Sequence, residues 1–236
     1  MTTRVQDLFK FARMAYDAPS PNQKTDLNAL SVTFHDSSID NKNCSTQFYI
    51  IVFPDEIIFA IRGSTSLTDL LIDIQFLQTD APDECTKNPN ARVHRGFLKQ
   101  FRYMYDFVRK TVDETEHTNI TFIGHSLGGA LATLCSAATK TQYNDEVHVE
   151  CYTYGSPRVG NAEFVKSFDE NVDVSVRCVN GSDISPMRPY FGYAHVQSEH
   201  RIGHVRKDWP GYFLGSIDDH TLDNYQRGLF KPNGSF

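Results

Sequence analysis

NITFIGHSLGGALAT, residues 119–133, is a short apolar run rich in β-branched residues, followed by a serine between glycines and by small helix-forming residues. This order predicts a strand, a sharp turn at Ser126 and a helix. Gly124 and Gly128 complete the pattern G-x-S-x-G, in which flanking glycines allow a turn so tight that the serine stands exposed in a strained backbone conformation. The alternative is a turn with an inert serine, so a nucleophile requires partners elsewhere in the chain.

Strand and helix patterns alternate on both sides of this stretch. Five runs are rich in residues that favour strands, at residues 29–35, 47–53, 57–62, 147–155 and 174–179. A long helix is predicted before Ser126 from apolar residues that recur every three or four positions, namely Leu98, Phe101, Tyr105, Val108 and Val112. The alternation predicts an α/β fold with a mainly parallel central sheet and helices on both faces, in which sites gather at the carboxyl ends of the strands.

Composition excludes several classes of protein. The 236 residues are 40% apolar and contain no linker or repeat, which predicts a single domain over residues 1–236. The net charge of −6 and the scattered Lys and Arg residues argue against a nucleic-acid partner. No H-E-x-x-H or Cys/His spacing indicates a metal, and no cofactor is expected. Cys135, Cys151 and Cys178 lie in apolar segments and are predicted to be buried thiols.

The first residues of the chain predict an amphipathic helix. Val5, Leu8, Phe9 and Ala12 share one helical face. Charged residues interrupt the segment, which excludes the apolar region of a signal peptide and a membrane-spanning helix. We therefore expect an intracellular, cytoplasmic location, or a secreted one if a leader has been removed.

A serine nucleophile needs a histidine to take its proton and a carboxylate to orient that histidine. In α/β folds of this kind the acid follows the serine, and the histidine comes last. Asp183 fits the acid because it follows the predicted strand at residues 174–179 through a short N-G-S turn. Three other aspartates fit less well because they precede the strand or lie inside loops: Asp169, Asp173 and Asp208.

Four histidines follow Asp183. His195 lies in a predicted edge strand, and His200 and His204 flank a predicted polar hairpin, so a structural role is favoured for all three. His220 opens the last predicted helix from a loop, which suits a residue that reaches across the top of the sheet. We therefore predict His220 as the base.

Two further features surround the carboxyl end of the strand at residues 57–62. Gly63 and Ser64 follow it, where an oxyanion hole would need backbone N-H groups, although the same residues also form ordinary turns. The next segment has apolar residues at helical spacing, at Leu67, Leu70, Leu71 and Ile74. This pattern is equally compatible with core packing and with a lid over an acyl-binding cleft.

Taken together, the motifs resemble those of the class 3 lipase family, the α/β-hydrolases typified by filamentous-fungal triacylglycerol lipases. The resemblance covers residues 5–228 and rests on seven motifs in the same order: FAIRGS, VHRGF, IGHSLGGALA, TYGSPRVGN, NGSDISP, FGYAHV and DHTLDNY. It implies the α/β-hydrolase fold and a triad of Ser126, Asp183 and His220. It also implies an oxyanion hole from Ser64 and Leu127, a lid at about residues 65–77, and no catalytic role for His195.

The resemblance also implies an activity, a serine carboxylic-ester hydrolase that cleaves acylglycerol-type esters through an acyl-enzyme. The expected partner is a lipid or small ester, with transient contact between the lid and a lipid interface. The alternatives are a phospholipase or feruloyl-type esterase of the same family, and a non-catalytic lipid-binding module that has kept the fold. The sequence does not specify the oligomeric state.

Overall fold

The computed structural model describes residues 2–36, 46–64, 77–196, 199–205 and 216–230. Its strands are β1 (Ser31–Asp36), β2 (Gln47–Val52), β3 (Ile57–Ile61), β4 (Gln78–Asp80), β5 (Arg92–His94), β6 (Asn119–His125), β7 (His148–Tyr154), β8 (Val174–Asn180) and β9 (Glu199–Ile202). Its α-helices are α1 (Thr2–Met14), α2 (Gln23–Asp26), α3 (Arg95–Thr115), α4 (Leu127–Tyr143), α5 (Ala162–Asn171) and α6 (Leu222–Phe230). Short 3₁₀ turns occupy Asn144–Glu146, Ser185–Met187 and Asp218–His220.

Seven strands form one sheet in the order β1-β2-β3-β6-β7-β8-β9. The pairs β1-β2 and β2-β3 are antiparallel, and the remaining pairs of this sheet, from β3 to β9, are parallel. The register places Ile61 opposite Gly124, and His125 opposite Tyr154. Because parallel strands end at the same edge, the segments after β3, β6, β7 and β8 meet there.

Helices cover both faces of this sheet, as the alternation predicts. Alternate side chains of the central strands enter two separate clusters, because successive residues of a strand point to opposite faces. One cluster packs against α3, α4 and α5, and the other against α1 and α6. The residues predicted for the apolar faces of α1 and α3 are all buried.

The five predicted strands are confirmed with boundary shifts of one or two residues, and the helices predicted at the start of the chain, before Ser126 and after it are confirmed as α1, α3 and α4. The prediction that His195 lies in an edge strand is wrong, because the edge strand is β9, which begins after it. His200 is part of β9 and does not flank a hairpin. Strand β9 was not predicted because its sequence is polar. An Arg177–Glu199 ion pair at 2.9 Å helps to hold it to β8. The pairing of β4 with β5 in a second small sheet was not predicted.

Several predicted features have a simple outcome in the described residues. Cys135, Cys151 and Cys178 are buried free thiols, which confirms the prediction, and Cys85 is a fourth. The lid residues Leu67, Leu70, Leu71 and Ile74 lie outside the described residues, as does Asp208.

Among the described helices, none combines the length and apolarity that crossing a bilayer requires. The assignment of residues 1–236 to one domain stays a prediction.

Candidate active site

The turn between β6 and α4 brings Ser126 to the edge of the sheet. Ser126 has φ 58° and ψ −127°, a backbone conformation that side chains rarely adopt, and it precedes the first turn of α4. The glycines of the motif allow this turn by close packing. A Cβ atom at Gly124 would lie 2.2 Å from the carbonyl carbon of Gly128, and one at Gly128 would lie 2.2 Å from the carbonyl oxygen of Ile61. Any larger side chain would therefore force the helix away from the strands.

Ser126, His220 and Asp183 form one hydrogen-bonded chain. Ser126 and His220 lie 94 positions apart in the sequence, and Asp183 and His220 lie 37 positions apart. Ser126 Oγ lies 2.9 Å from His220 Nε2, and His220 Nδ1 lies 2.8 Å from Asp183 Oδ2. A carboxylate can only accept, so Nδ1 carries the proton and Nε2 is free to accept the serine hydroxyl proton. This is the arrangement in which a serine can be activated as a nucleophile.

The Asp183 carboxylate is fixed by two further donors. The backbone N-H of Ser185 donates to Oδ1 at 2.8 Å, and the Tyr225 hydroxyl donates to Oδ2 at 2.6 Å. Burial, with a smaller contribution from the charge of Asp183, raises the pKa of Tyr225 well above its usual value, so this hydroxyl keeps its proton. Tyr225 lies in α6, five residues after His220. One short segment thus supplies both the histidine of the site and the hydroxyl that fixes the Asp183 carboxylate.

His125 and Tyr16 connect the two sides of the site. His125 Nε2 lies 2.8 Å from the backbone oxygen of His220, which can only accept, so this nitrogen carries the proton. Its Nδ1 therefore accepts the Tyr16 hydroxyl at 2.9 Å, and the same hydroxyl accepts the backbone N-H of Gly63. Burial, and then the neighbouring His220, lower the pKa of His125 well below its usual value, which keeps the ring neutral. The chain of bonds ties the segment after β3 to the backbone of His220.

The two predicted oxyanion-hole residues flank Ser126. Leu127 is the first residue of α4, and the first N-H groups of a helix have no partner inside the helix. Gly63 packs against Ser126, since a Cβ atom there would lie 3.1 Å from Ser126 Cβ, and Ser64 follows directly. Leu127 thus adjoins the serine directly, and Ser64 is one residue from the glycine that packs against it.

The structure differs from the sequence prediction in the exposure of the serine. Ser126 and His220 are 0% exposed, and the side chain of Asp183 is 0% exposed as well. The prediction of an exposed serine is therefore wrong for this conformation. The buried setting removes competing water from the three side chains, and an ester reaches Ser126 Oγ only after covering atoms move.

The other histidines considered from the sequence lie apart from this chain of bonds. His195 Nε2 contacts the backbone oxygen of Pro186, and burial lowers the pKa of His195 to about 3, with smaller contributions from Arg177 and Arg158. His200 is in β9, and His204 follows it. Sequence reasoning missed Tyr16, His125, Ser185 and Tyr225, although Tyr225 ends the DHTLDNY motif and His125 is the first variable residue of G-x-S-x-G. Among the described residues, no group of three or more His, Cys, Asp or Glu could hold a metal ion.

A mainly parallel sheet with a strained serine at a strand-to-helix turn, hydrogen-bonded to a histidine and an aspartate that follow it in the chain, defines the α/β-hydrolases. Comparison with known families places the chain more narrowly. Residues 58–193 match the lipase (class 3) family, more than half of the sequence. The chain belongs to the class 3 lipase family.

Individual relatives agree with this assignment. The chain is 32% identical over 162 residues to the secreted mono- and diacylglycerol lipase 1 of Fusarium solani, covering 65% of this chain and 46% of that protein. It is 35% identical over 202 residues to phospholipase A1-II 1 of Oryza sativa, covering 76% of this chain and 51% of that protein. The chain thus spans about half the length of these curated relatives. Among solved structures, lipase II from Rhizopus niveus has the same fold, with a TM-score of 0.74, 23% identity, and coverage of 93% and 94% of the two chains.

Proposed function

We propose that this chain is a serine carboxylic-ester hydrolase that acts on acylglycerol-type esters, with Ser126, His220 and Asp183 as its catalytic triad. The observation that carries the proposal is the pair of hydrogen bonds from Ser126 Oγ to His220 Nε2 and from His220 Nδ1 to Asp183 Oδ2, at 2.9 and 2.8 Å. This geometry is what acyl transfer through a serine requires. Membership of the class 3 lipase family supports an ester as the substrate.

In the first half of the reaction, Ser126 Oγ attacks the ester carbonyl carbon while its proton passes to His220 Nε2. The carboxylate of Asp183 stabilises the imidazolium that forms, and Ser185 and Tyr225 hold that carboxylate in place. When the tetrahedral intermediate collapses, the carbon–oxygen ester bond breaks and the alcohol leaves with the proton from Nε2. The acyl group remains on Ser126 as an ester.

Backbone N-H groups of Ser64 and Leu127 would bind the oxygen that becomes negative in this intermediate. Each such donor contributes about 3 to 4 kcal/mol to transition-state stabilisation in enzymes of this type. In the second half, His220 takes a proton from water, and the resulting hydroxide attacks the acyl-enzyme carbonyl. The proton then returns to Ser126 Oγ as the carboxylic acid leaves, which restores the starting state.

Tyr16 is expected to act as a positioning residue for both sides of this site. Tyr16→Phe removes the acceptor of the Gly63 N-H and the donor to His125 Nδ1, so the segment that carries Ser64 and the backbone of His220 both lose a constraint. We expect kcat for p-nitrophenyl butyrate to fall about 10- to 100-fold with little change in KM, because small displacements of reacting groups are costly.

Tyr49→Phe is the matched control for Tyr16→Phe. The Tyr49 hydroxyl also bonds to the chain after α1, to the backbone oxygen of Asp17 at 3.0 Å, and its other hydrogen-bond partner among the described residues is Gln23, outside the site. Urea unfolding of both variants would separate stability from catalysis. Equal kcat values for the two variants would remove Tyr16 from the positioning role.

A phospholipase is the second candidate, and the 35% identical rice relative named as a phospholipase A1 favours it. Rates on tri-, di- and monoacylglycerols, phosphatidylcholine and methyl ferulate would decide between the candidates. The acylglycerol proposal predicts the highest kcat/KM on an acylglycerol. A clear preference for phosphatidylcholine would favour the phospholipase, and one for methyl ferulate would favour the feruloyl-type esterase.

The lid is the part of the proposal that concerns a lipid interface. Ser126 is fully buried, and Leu77, at the end of the segment assigned to the lid, is 48% exposed. The leucines of this segment, Leu67, Leu70 and Leu71, supply an apolar surface in the sequence pattern. In the same substrate panel, the rate on tributyrin is expected to rise steeply once its concentration exceeds its solubility. A smooth saturation curve through that limit would contradict interfacial contact through the lid.

A further inference from the structure

A cavity of about 800 Å³ lies beside the segment that leads into Asp183. It is bordered by the ends of β8 and β9 and by the loop around the 3₁₀ turn Ser185–Met187. Three arginines line it, Arg158, Arg177 and Arg201, together with Glu199 and Ser182. Of its lining residues, Asp183 is the one that takes part in the proposed ester hydrolysis.

The charges that face the cavity are predominantly positive. Arg177 and Arg201 share one carboxylate, because Glu199 contacts Arg177 at 2.9 Å and Arg201 at 2.7 Å. Asp183 also borders the cavity, but its carboxylate oxygens already accept bonds from Ser185, His220 and Tyr225. Three guanidinium groups thus face two carboxylates, an excess of one positive charge, and His195 stays neutral here because its pKa is lowered to about 3.

Arg158 is the cation of this group that lacks a counter-ion in the described part of the chain. Its Nη1 donates to the backbone oxygen of Tyr190 at 3.2 Å, and its guanidinium stacks over the Tyr190 ring at 5.3 Å from the centroid. Burial, together with the nearby charge of Arg177, lowers the pKa of Arg158. A positive charge held near a second one, without an anion, is costly unless a ligand supplies the anion.

Two buried polar atoms that line this region have no hydrogen-bond partner among the described residues. They are Arg158 Nε and Ser182 Oγ, and Ser182 is 8% exposed. Buried polar atoms are nearly always paired in native proteins, so two unpaired donors on residues that line one positively charged cavity indicate a missing acceptor. An oxyanion provides acceptors for both.

We propose that this cavity binds a small phosphorylated molecule, whose phosphate is held by Arg158, Ser182 and the Arg177–Arg201 pair. The three guanidinium groups exceed Glu199 and Asp183 by one charge, and with Ser182 they offer more donors than the two oxygens of a carboxylate can accept, which suits the three terminal oxygens of a phosphate better. The cavity volume exceeds that of phosphate alone and falls in the range of small-molecule sites.

Occupation of the cavity is expected to stiffen the segment before the catalytic acid. Ser182 adjoins Asp183 in the chain, and Arg201 Nη1 already donates to the backbone oxygen of Gly181 at 2.8 Å. A phosphate between Ser182 and Arg158 would tie this segment to the loop after β7. The ligand would therefore stabilise the fold close to the triad without entering the reaction.

Calorimetric titration of the full chain with glycerol 3-phosphate and with inorganic phosphate, at constant ionic strength, tests the proposal. We expect a Kd of about 1 mM or tighter for at least one of the two. Butyrate at the same concentrations is expected to give no saturable heat. Arg158→Gln is expected to weaken binding at least tenfold, and Ser182→Ala about tenfold.

Arg109→Gln is the matched control, since this exposed arginine contacts only Asp106 among the described carboxylates, at 3.7 Å. It should bind as the unmodified chain does. If Arg158→Gln does not fold, Ser182→Ala carries the test. Absence of saturable phosphate binding, equal Kd values for Ser182→Ala and the control, or tighter binding of butyrate than of phosphate would each overturn the proposal. Binding measured with Ser126→Ala keeps this result independent of ester hydrolysis.

Discussion

Ser126→Ala is expected to lower the rate of p-nitrophenyl butyrate hydrolysis by at least about 10⁴-fold and to abolish labelling by a fluorophosphonate. Alanine lacks the hydroxyl oxygen that lies 2.9 Å from His220 Nε2. Loss of a triad nucleophile removes covalent catalysis and leaves only binding and oxyanion stabilisation. Because the backbone at φ 58° is strained for serine and for alanine alike, the substitution should change the free energy of unfolding by less than about 1 kcal/mol.

Ser136→Ala is the matched control for this variant. Ser136 is also fully buried, lies in the helix that follows the catalytic turn, and donates to the backbone oxygen of Ala132 at 2.8 Å. It should retain labelling and nearly full activity. Labelling that persists in Ser126→Ala would move the nucleophile to another residue and end the triad assignment.

Asp183→Asn is expected to lower kcat by about 10³- to 10⁴-fold while KM changes little. The Ser185 N-H donates to Oδ1 at 2.8 Å, so the asparagine must place its carbonyl oxygen there. Its NH₂ group then faces His220 Nδ1 and donates to it, which puts the remaining ring proton on Nε2. A protonated Nε2 cannot accept the proton of Ser126, and this tautomer error accounts for a loss of that size in a serine triad.

Asp173→Asn provides the comparison for Asp183→Asn. Asp173 immediately precedes the strand that Asp183 follows, and it accepts from the backbone N-H of Val149 at 2.8 Å and from Lys140 at 3.0 Å. Its loss should lower stability, because Lys140 is buried, while kcat stays near the unmodified value. A similar kcat in the two variants would show that Asp183 supports the fold and does not orient His220.

The fold was largely predictable because its strands are apolar and its helices amphipathic. Strands β2, β3, β6, β7 and β8 lie in the middle of the sheet, and burial on both faces gives them nearly continuous apolar sequences. The edge strand β9 was not predicted because it lacks such an apolar sequence. Its sequence, Glu-His-Arg-Ile, is polar, and the Arg177–Glu199 ion pair that helps to hold it joins residues 22 positions apart.

The triad could be predicted because chain order and position after a strand restrict the choice of acid and histidine. Its supporting residues could not, because nothing in their local sequence marks them. Tyr16 follows α1 and Tyr225 lies within α6, where an aromatic residue is ordinarily part of the core. In the folded chain their hydroxyl groups reach His125 and Asp183. The burial of Ser126 is likewise a property of packing between distant segments.

The docking of α1 beside α6 has a consequence for how the protein is made. Gln6 Nε2 donates to the backbone oxygen of Leu229, 223 positions away, and Arg13 pairs with Asp223 at 2.7 Å. Helix α1 is therefore synthesised long before its final neighbour, α6, and cannot complete this packing until α6 has left the ribosome. His220 and Tyr225 leave the ribosome at the same late stage as α6. A nascent chain can therefore complete most of its sheet before it has the histidine that activates Ser126.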